Sequence, residues 1–178
     1  MKKHKRMVWV GLALVVMLLL AAGSASARAT RTPVTYYGFS CAVIDPGTEW
    51  YSGDEPILHV RGRVIEQIIV SDDIRLAGSA TIAGGFNINL ATGSGNVVHG
   101  TWTLQPDAVD GTWEGTWSGH WTAMVLSARI IGHGTGDLAG LKMFGTLQSI
   151  EIPVDPPPPC AAFGADATSG EILDPHGE

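Results

Sequence analysis

Between residues 33 and 152 the apolar positions alternate or cluster as they do in β-strands, and no stretch keeps a helical period. Glycine-rich or polar turns separate these runs, and Gly84-Gly85 is interpreted as one hairpin turn because glycine accepts a positive φ. The pattern predicts eight strands, at about 34–43, 57–70, 74–83, 86–90, 97–105, 112–122, 125–134 and 141–152. Consecutive strands joined by short turns indicate an all-β, eight-stranded antiparallel up-and-down β-barrel, since closure removes exposed edges. An open β-sandwich is the alternative.

The two ends of the chain differ from this strand-rich centre. Residues 1–27 consist of a basic start, an uncharged apolar run and small residues ending in Ala25-Ser26-Ala27, which predicts a signal peptide cleaved after Ala27. An uncleaved anchor is the alternative, although the apolar run is shorter than the about 20 residues of a membrane span. Residues 28–152 form the predicted barrel domain. Pro153 and the four prolines at 156–159 exclude a central strand, so residues 153–178 are expected to be a flexible tail.

The predicted export changes how the charge and the cysteines are interpreted. Without the leader the chain keeps seven basic and seventeen acidic residues, a formal charge of −10. Such an acidic chain lacks the clustered Lys and Arg that bind nucleic acid or anionic membrane surfaces. In a secreted or extracytoplasmic location Cys41 and Cys160 can oxidise, and a disulfide would fasten the tail to the first strand. Two unpaired thiols are the alternative.

The most regular pattern is a tryptophan stripe in the predicted strand 112–122. Alternate residues share a face of a strand, so Trp113, Trp117 and Trp121 lie on one side with glycines between them. These rings either fill the barrel core or form the wall of a site for a flat apolar ligand or a sugar. Trp102, on the neighbouring strand, extends either surface.

A second group of polar residues lies in the predicted strand 57–70. Strand alternation places His59, Arg61 and Arg63 on one face, which is either the solvent side or a polar part of the barrel lumen. In the lumen, Arg61 beside Glu66 or Glu114 would orient a ligand. One β-bulge in this strand would exchange its two faces. The histidine spacing matches no metal-ligand motif, so neither a metal nor another cofactor is expected.

Residues 132–142 contain a glycine motif in which Gly134, Gly136, Leu138 and Gly140 give the pattern G-x-G-x-(apolar)-x-G. A phosphate-binding loop is excluded because β-patterned residues follow it in place of a helix. The segment resembles the strand-turn-strand signature of the allene oxide cyclase and dirigent-like barrel superfamily and its bacterial relatives. That resemblance implies an eight-stranded barrel with a mainly apolar cavity, which plants use to cyclise or steer reactive hydrophobic intermediates. It carries over no catalytic residue.

Three hypotheses about function follow, and the sequence leaves open whether any reaction is catalysed. The first is a secreted barrel that binds a small hydrophobic ligand through Trp102, Trp113, Trp117 and Trp121. The second is an isomerase or cyclase of the resembling superfamily, which uses Glu114, His59 or Arg61. The third is a structural or adhesive envelope protein that contacts macromolecules through its outer face. The face that the tryptophans occupy distinguishes the first hypothesis from the third.

Overall fold

The protein is described by a computed structural model over residues 28–54, 56–152 and 160–177. This part of the chain forms nine strands, one 3₁₀ turn at Gly136–Leu138 and no α-helix. The strands are β1 (Thr30–Asp45), β2 (Thr48–Ser52), β3 (Ile57–Val70), β4 (Gly78–Asn89), β5 (Ser94–Pro106), β6 (Trp113–Thr122), β7 (Val125–Gly134), β8 (Lys142–Ile150) and β9 (Gly164–Asp174). The predicted signal peptide at residues 1–27 lies outside the described residues. No helix within those residues has the length and apolar character of a membrane span.

The strands form one closed antiparallel barrel, which confirms the predicted fold class. From β3 to β9 each strand pairs with the next one in the chain, and β1 closes the ring by pairing with both β9 and β3. The short strand β2 is additional: among the described strands it pairs with β3 alone, where it continues the line of β1 beyond Pro46 and Gly47. Gly47 is required there, since its φ is +71° and a Cβ would lie 2.2 Å from the Arg61 carbonyl oxygen.

One predicted turn is wrong. Gly84 and Gly85 lie inside β4, so the predicted strands 74–83 and 86–90 are a single strand. The register with β5 shifts between Ala83 and Gly85, and a Cβ on Gly85 would lie 2.3 Å from the Val60 carbonyl oxygen. Glycine is therefore needed at this bulge for close backbone approach and not for a hairpin turn.

The prediction of a flexible tail is also wrong for its second half. Residues Gly164–Asp174 are β9, which pairs with β1 from Thr30↔Asp174 to Ser40↔Gly164 and with β8 along its other edge. The barrel domain thus extends past residue 152. The barrel still has eight strands, because β9 adds one strand and the single strand β4 takes the place of two predicted ones. The Cys41–Cys160 disulfide is confirmed and joins β1 to the segment that leads into β9. Residues 153–159 lie outside the described part.

One end of the barrel is closed by packed side chains. Trp113 at the start of β6 is fully buried, and its indole Nε1 donates a hydrogen bond to the Arg75 carbonyl oxygen at 2.8 Å. Leu138 enters from the 3₁₀ turn, and Leu76 enters from the connection between β3 and β4. The other buried residues of this layer are Leu104, Met143 and Ile172. Among the described residues no comparable layer fills the opposite end, where β6 turns into β7.

Candidate functional site

The barrel lumen contains a cavity of about 410 Å³ that extends from its middle to the unfilled end. Met124 and Phe163 stand at the rim of this cavity, and each is more than half exposed. The wall is mainly apolar because alternate residues of each strand point inward. Its apolar members include Ile65, Ile82, Phe86, Ile88, Leu126, Ile130 and Leu147.

Three of the four predicted ligand-binding tryptophans line this cavity. Trp102, Trp117 and Trp121 contribute their rings to the wall, and Trp121 lies 6.1 Å from Phe86 between ring centroids. Trp113 is outside the cavity, in the packed layer at the closed end. Trp113 is therefore a core residue, whereas Trp117 and Trp121 of the stripe, together with Trp102, line the cavity.

Glycines on neighbouring strands give these rings their space. A Cβ on Gly132 would lie 2.5 Å from Cζ2 of Trp102, and one on Gly100 would lie 2.7 Å from Cδ1 of Trp117. The Trp117 indole nitrogen also donates to the carbonyl oxygens of Ala83 and Thr101, each at 3.2 Å. The rings are thus held against the barrel wall and leave the centre open.

His59 and Arg61 are on the outer face of the sheet, so the solvent-side alternative holds for these two residues and the alternative of a place in the lumen is wrong. The register of β3 with β4 shifts between Val60 and Arg63, around Gly62 with φ +70°. This bulge leaves His59 and Arg61 outside and turns Arg63 into the cavity. Arg63 pairs with Glu49, and its guanidinium carbon lies 5.4 Å from the centroid of the Phe86 ring.

The outer group is held together by its own contacts. The His59 ring stacks on Trp50 at 4.9 Å and is hydrogen-bonded through Nδ1 to Asn87 Oδ1 at 2.8 Å and through Nε2 to Ser52 Oγ at 2.6 Å. Arg61 lies 5.2 Å from the Trp50 ring centroid and donates to the same Asn87 oxygen at 2.8 Å. Arg61 therefore takes Asn87 as its side-chain partner, where the sequence suggested Glu66 or Glu114.

Glu114 is likewise outside the cavity. It is exposed on β6, one position after the buried Trp113, and its cross-strand neighbours are Thr103 and His133. The proposed catalytic set of Glu114, His59 and Arg61 is therefore not assembled around the lumen. Among the described residues no group of three or more His, Cys, Asp or Glu side chains is placed to hold a metal ion.

The lumen instead contains a polar cluster that sequence analysis missed. Asp166 on β9 is 7% exposed and accepts a hydrogen bond through Oδ2 from Gln67 Nε2 at 2.9 Å. The same Gln67 nitrogen donates to Ser40 Oγ at 3.1 Å. The other carboxyl oxygen, Asp166 Oδ1, is buried without a hydrogen-bond partner in the part of the chain that the structure describes.

Burial changes the acidity of this cluster. The loss of hydration raises the pKa of the Asp166 carboxyl to about 7, against the opposing effect of the Gln67 hydrogen bond. Burial also raises the pKa of the nearby Tyr36 hydroxyl. A Cβ on Gly38 would lie 2.9 Å from Asp166 Oδ1, so glycine leaves room for the carboxyl. The site thus holds a carboxyl that changes its charge near neutral pH.

The chain matches no protein-family model and has no significant match among curated proteins. The resemblance of residues 134–140 to the allene oxide cyclase and dirigent-like superfamily therefore stays a prediction. Locally, this segment joins β7 to β8 through the 3₁₀ turn, and Gly136 and Gly140 have φ values of +58° and +91°.

Proposed function

We propose that this protein is a secreted barrel that binds one small, mainly apolar molecule in its lumen. The observation that carries the proposal is the cavity of about 410 Å³, which reaches the rim and is walled by Trp102, Trp117 and Trp121. Small-molecule sites typically have volumes of about 300–1,000 Å³ and combine apolar walls with a few polar groups that orient the ligand. The cluster of Ser40, Gln67 and Asp166 supplies such groups.

The placement of the aromatic side chains supports this function over adhesion through the outer face. Three tryptophans face the lumen, whereas Trp50 and Tyr51 are the exposed aromatic residues of the short strand β2. Secretion is supported by the leader sequence and by the Cys41–Cys160 disulfide, which is compatible with an oxidising compartment.

The test is a fluorescence titration of the protein that begins at residue 28. Fatty acids, terpenoids and aromatic compounds are added in turn, with an oligosaccharide series as contrast. We expect saturable quenching or a blue shift with one apolar class. Trp117→Phe removes a reporter in the cavity wall, and Trp50→Phe is the matched control on the outer face.

Binding that Trp117→Phe weakens and Trp50→Phe leaves unchanged would support the proposal. A failure of every apolar class to bind, measured also by calorimetry, would overturn it. Binding that Trp50→Phe weakens and Trp117→Phe leaves unchanged would place the ligand outside the lumen and would overturn it as well.

A further inference from the structure

We infer that the lumen selects an apolar compound carrying a protonated amine, and that Asp166 binds its ammonium group. This inference rests on the proposed function, because it assigns a ligand class to the same cavity. Asp166 belongs to the cavity wall, and its Oδ1 is a buried acceptor without a partner among the described residues. An unpaired buried polar atom is costly, so a ligand that donates a hydrogen bond to it gains affinity.

The charges around the cavity favour a cationic donor. The titratable side chains in the described cavity wall are Tyr36 from β1, Arg63 from β3 and Asp166 from β9. Strand β8, the other neighbour of β9, contributes Leu147 and Ser149 to the wall and no titratable group. Arg63 pairs with Glu49, so the charge that would neutralise an ionised Asp166 must come with the ligand.

The aromatic wall and the negative overall charge also favour a cationic ligand. The faces of Trp, Tyr and Phe rings attract cations, and Trp102, Trp117, Phe86 and Tyr36 all line this cavity. The acidic chain attracts cationic ligands during diffusional encounter.

The experiment compares three probes of the same length: octylamine, octanol and octanoate. Calorimetric titrations at pH 6 and pH 8 are made on the wild type, on Asp166→Asn, and on Glu114→Gln. The last variant removes one acidic charge from the outer face and serves as the matched control.

We expect octylamine to bind the wild type about tenfold more tightly than octanol at pH 8. Octylamine affinity falls about tenfold from pH 8 to pH 6, since a carboxyl with a pKa of about 7 becomes mostly protonated. At pH 6 octylamine binding releases close to one proton, which titrations in buffers of different ionisation enthalpy detect. Asp166→Asn removes the preference for octylamine but retains octanol binding, and Glu114→Gln changes neither.

The outcomes separate this inference from the proposed function. Equal affinity for octylamine and octanol, or a preference for octanoate, overturns the amine inference and leaves the binding cavity in place. A failure of all three probes to bind overturns the amine inference, and it overturns the proposed function as well if every apolar class in the fluorescence titration also fails to bind. If Asp166→Asn does not fold, proton release by the wild type decides: octylamine binding without proton release at pH 6 overturns the inference.

Discussion

At the residue scale, the open lumen depends on where glycine and tryptophan stand opposite each other. Trp102 pairs across the strands with Gly115, and its ring also covers Gly132. The alternation of large rings and glycines in β6 was visible in the sequence alone. The sequence did not show which rings would line the cavity, because Trp113 and Trp117 have the same local pattern. They differ only in their depth along the barrel.

Asp166 is expected to make folding stability depend on pH. Its pKa is about 7 in the folded protein and near 3.8 when unfolded, so the folded state holds a proton that the unfolded state releases between these values. Stability therefore falls as pH rises from about 4 to about 7, by an amount on the order of a few kcal/mol. Asp166→Asn removes this loss and should raise the free energy of unfolding at pH 8 relative to the wild type.

Urea unfolding of both proteins at pH 5 and pH 8 measures this difference, with Glu114→Gln as the control for net charge. The gain of Asp166→Asn over the wild type should be larger at pH 8. An equal gain at both pH values would show that Asp166 is ionised in the folded protein throughout this range.

At the scale of elements, strands with clear alternation were predictable and the positions of bulges were not. Strand β6 was predicted within one residue of its bounds, and its inward and outward faces agree with the pattern. The sequence could not show whether Gly84-Gly85 forms a hairpin turn or lies at a bulge within a strand. Glycine suits both places because it lacks a Cβ. The bulge at Gly62, which the sequence did not locate, likewise places Arg61 on the outer face and Arg63 in the cavity wall.

Strand β9 was missed because its sequence is weakly apolar. Its inward side consists mainly of small or polar residues, among them Asp166 and Thr168, and five prolines stand just before it. Its position is set by pairing with β1 and β8, which are distant in sequence. The one local indication was Cys160, whose disulfide holds the chain beside β1. Missing β9 also meant missing Asp166.

The role of β9 gives a prediction about truncation. A chain that ends at residue 152 lacks β9, so β1 and β8 keep unpaired edges and the buried Ile172 side chain is lost. We expect this variant to lose cooperative unfolding, as measured by circular dichroism during heating. Ending the chain at residue 174 is the control, and it should leave the transition nearly unchanged. A cooperative transition in the shorter chain would contradict the role of β9 in closure.

At the scale of the whole molecule, the disulfide and the hydrogen-bonded pairing of the strands both keep the barrel closed, but they act in different ways. The ladders of β9 close the barrel in the folded state, whereas the Cys41–Cys160 bond, with a sequence separation of 119, also restricts the unfolded chain. Replacing both cysteines with serine should therefore leave the barrel closed. In the chain-entropy picture, it should lower the free energy of unfolding by up to about 4–5 kcal/mol.

Urea unfolding distinguishes an effect on the unfolded chain from damage to the barrel. Without the cross-link the unfolded chain exposes more surface, so the dependence of the unfolding free energy on urea should steepen. The tryptophan bands in the near-ultraviolet circular dichroism of the folded variant should match those of the wild type, because the tryptophans of the cavity wall keep their surroundings. Changed tryptophan bands would instead mean that Cys160 is needed to place β9 against β1, and the pairing of the strands alone would then be insufficient to close the barrel around Asp166.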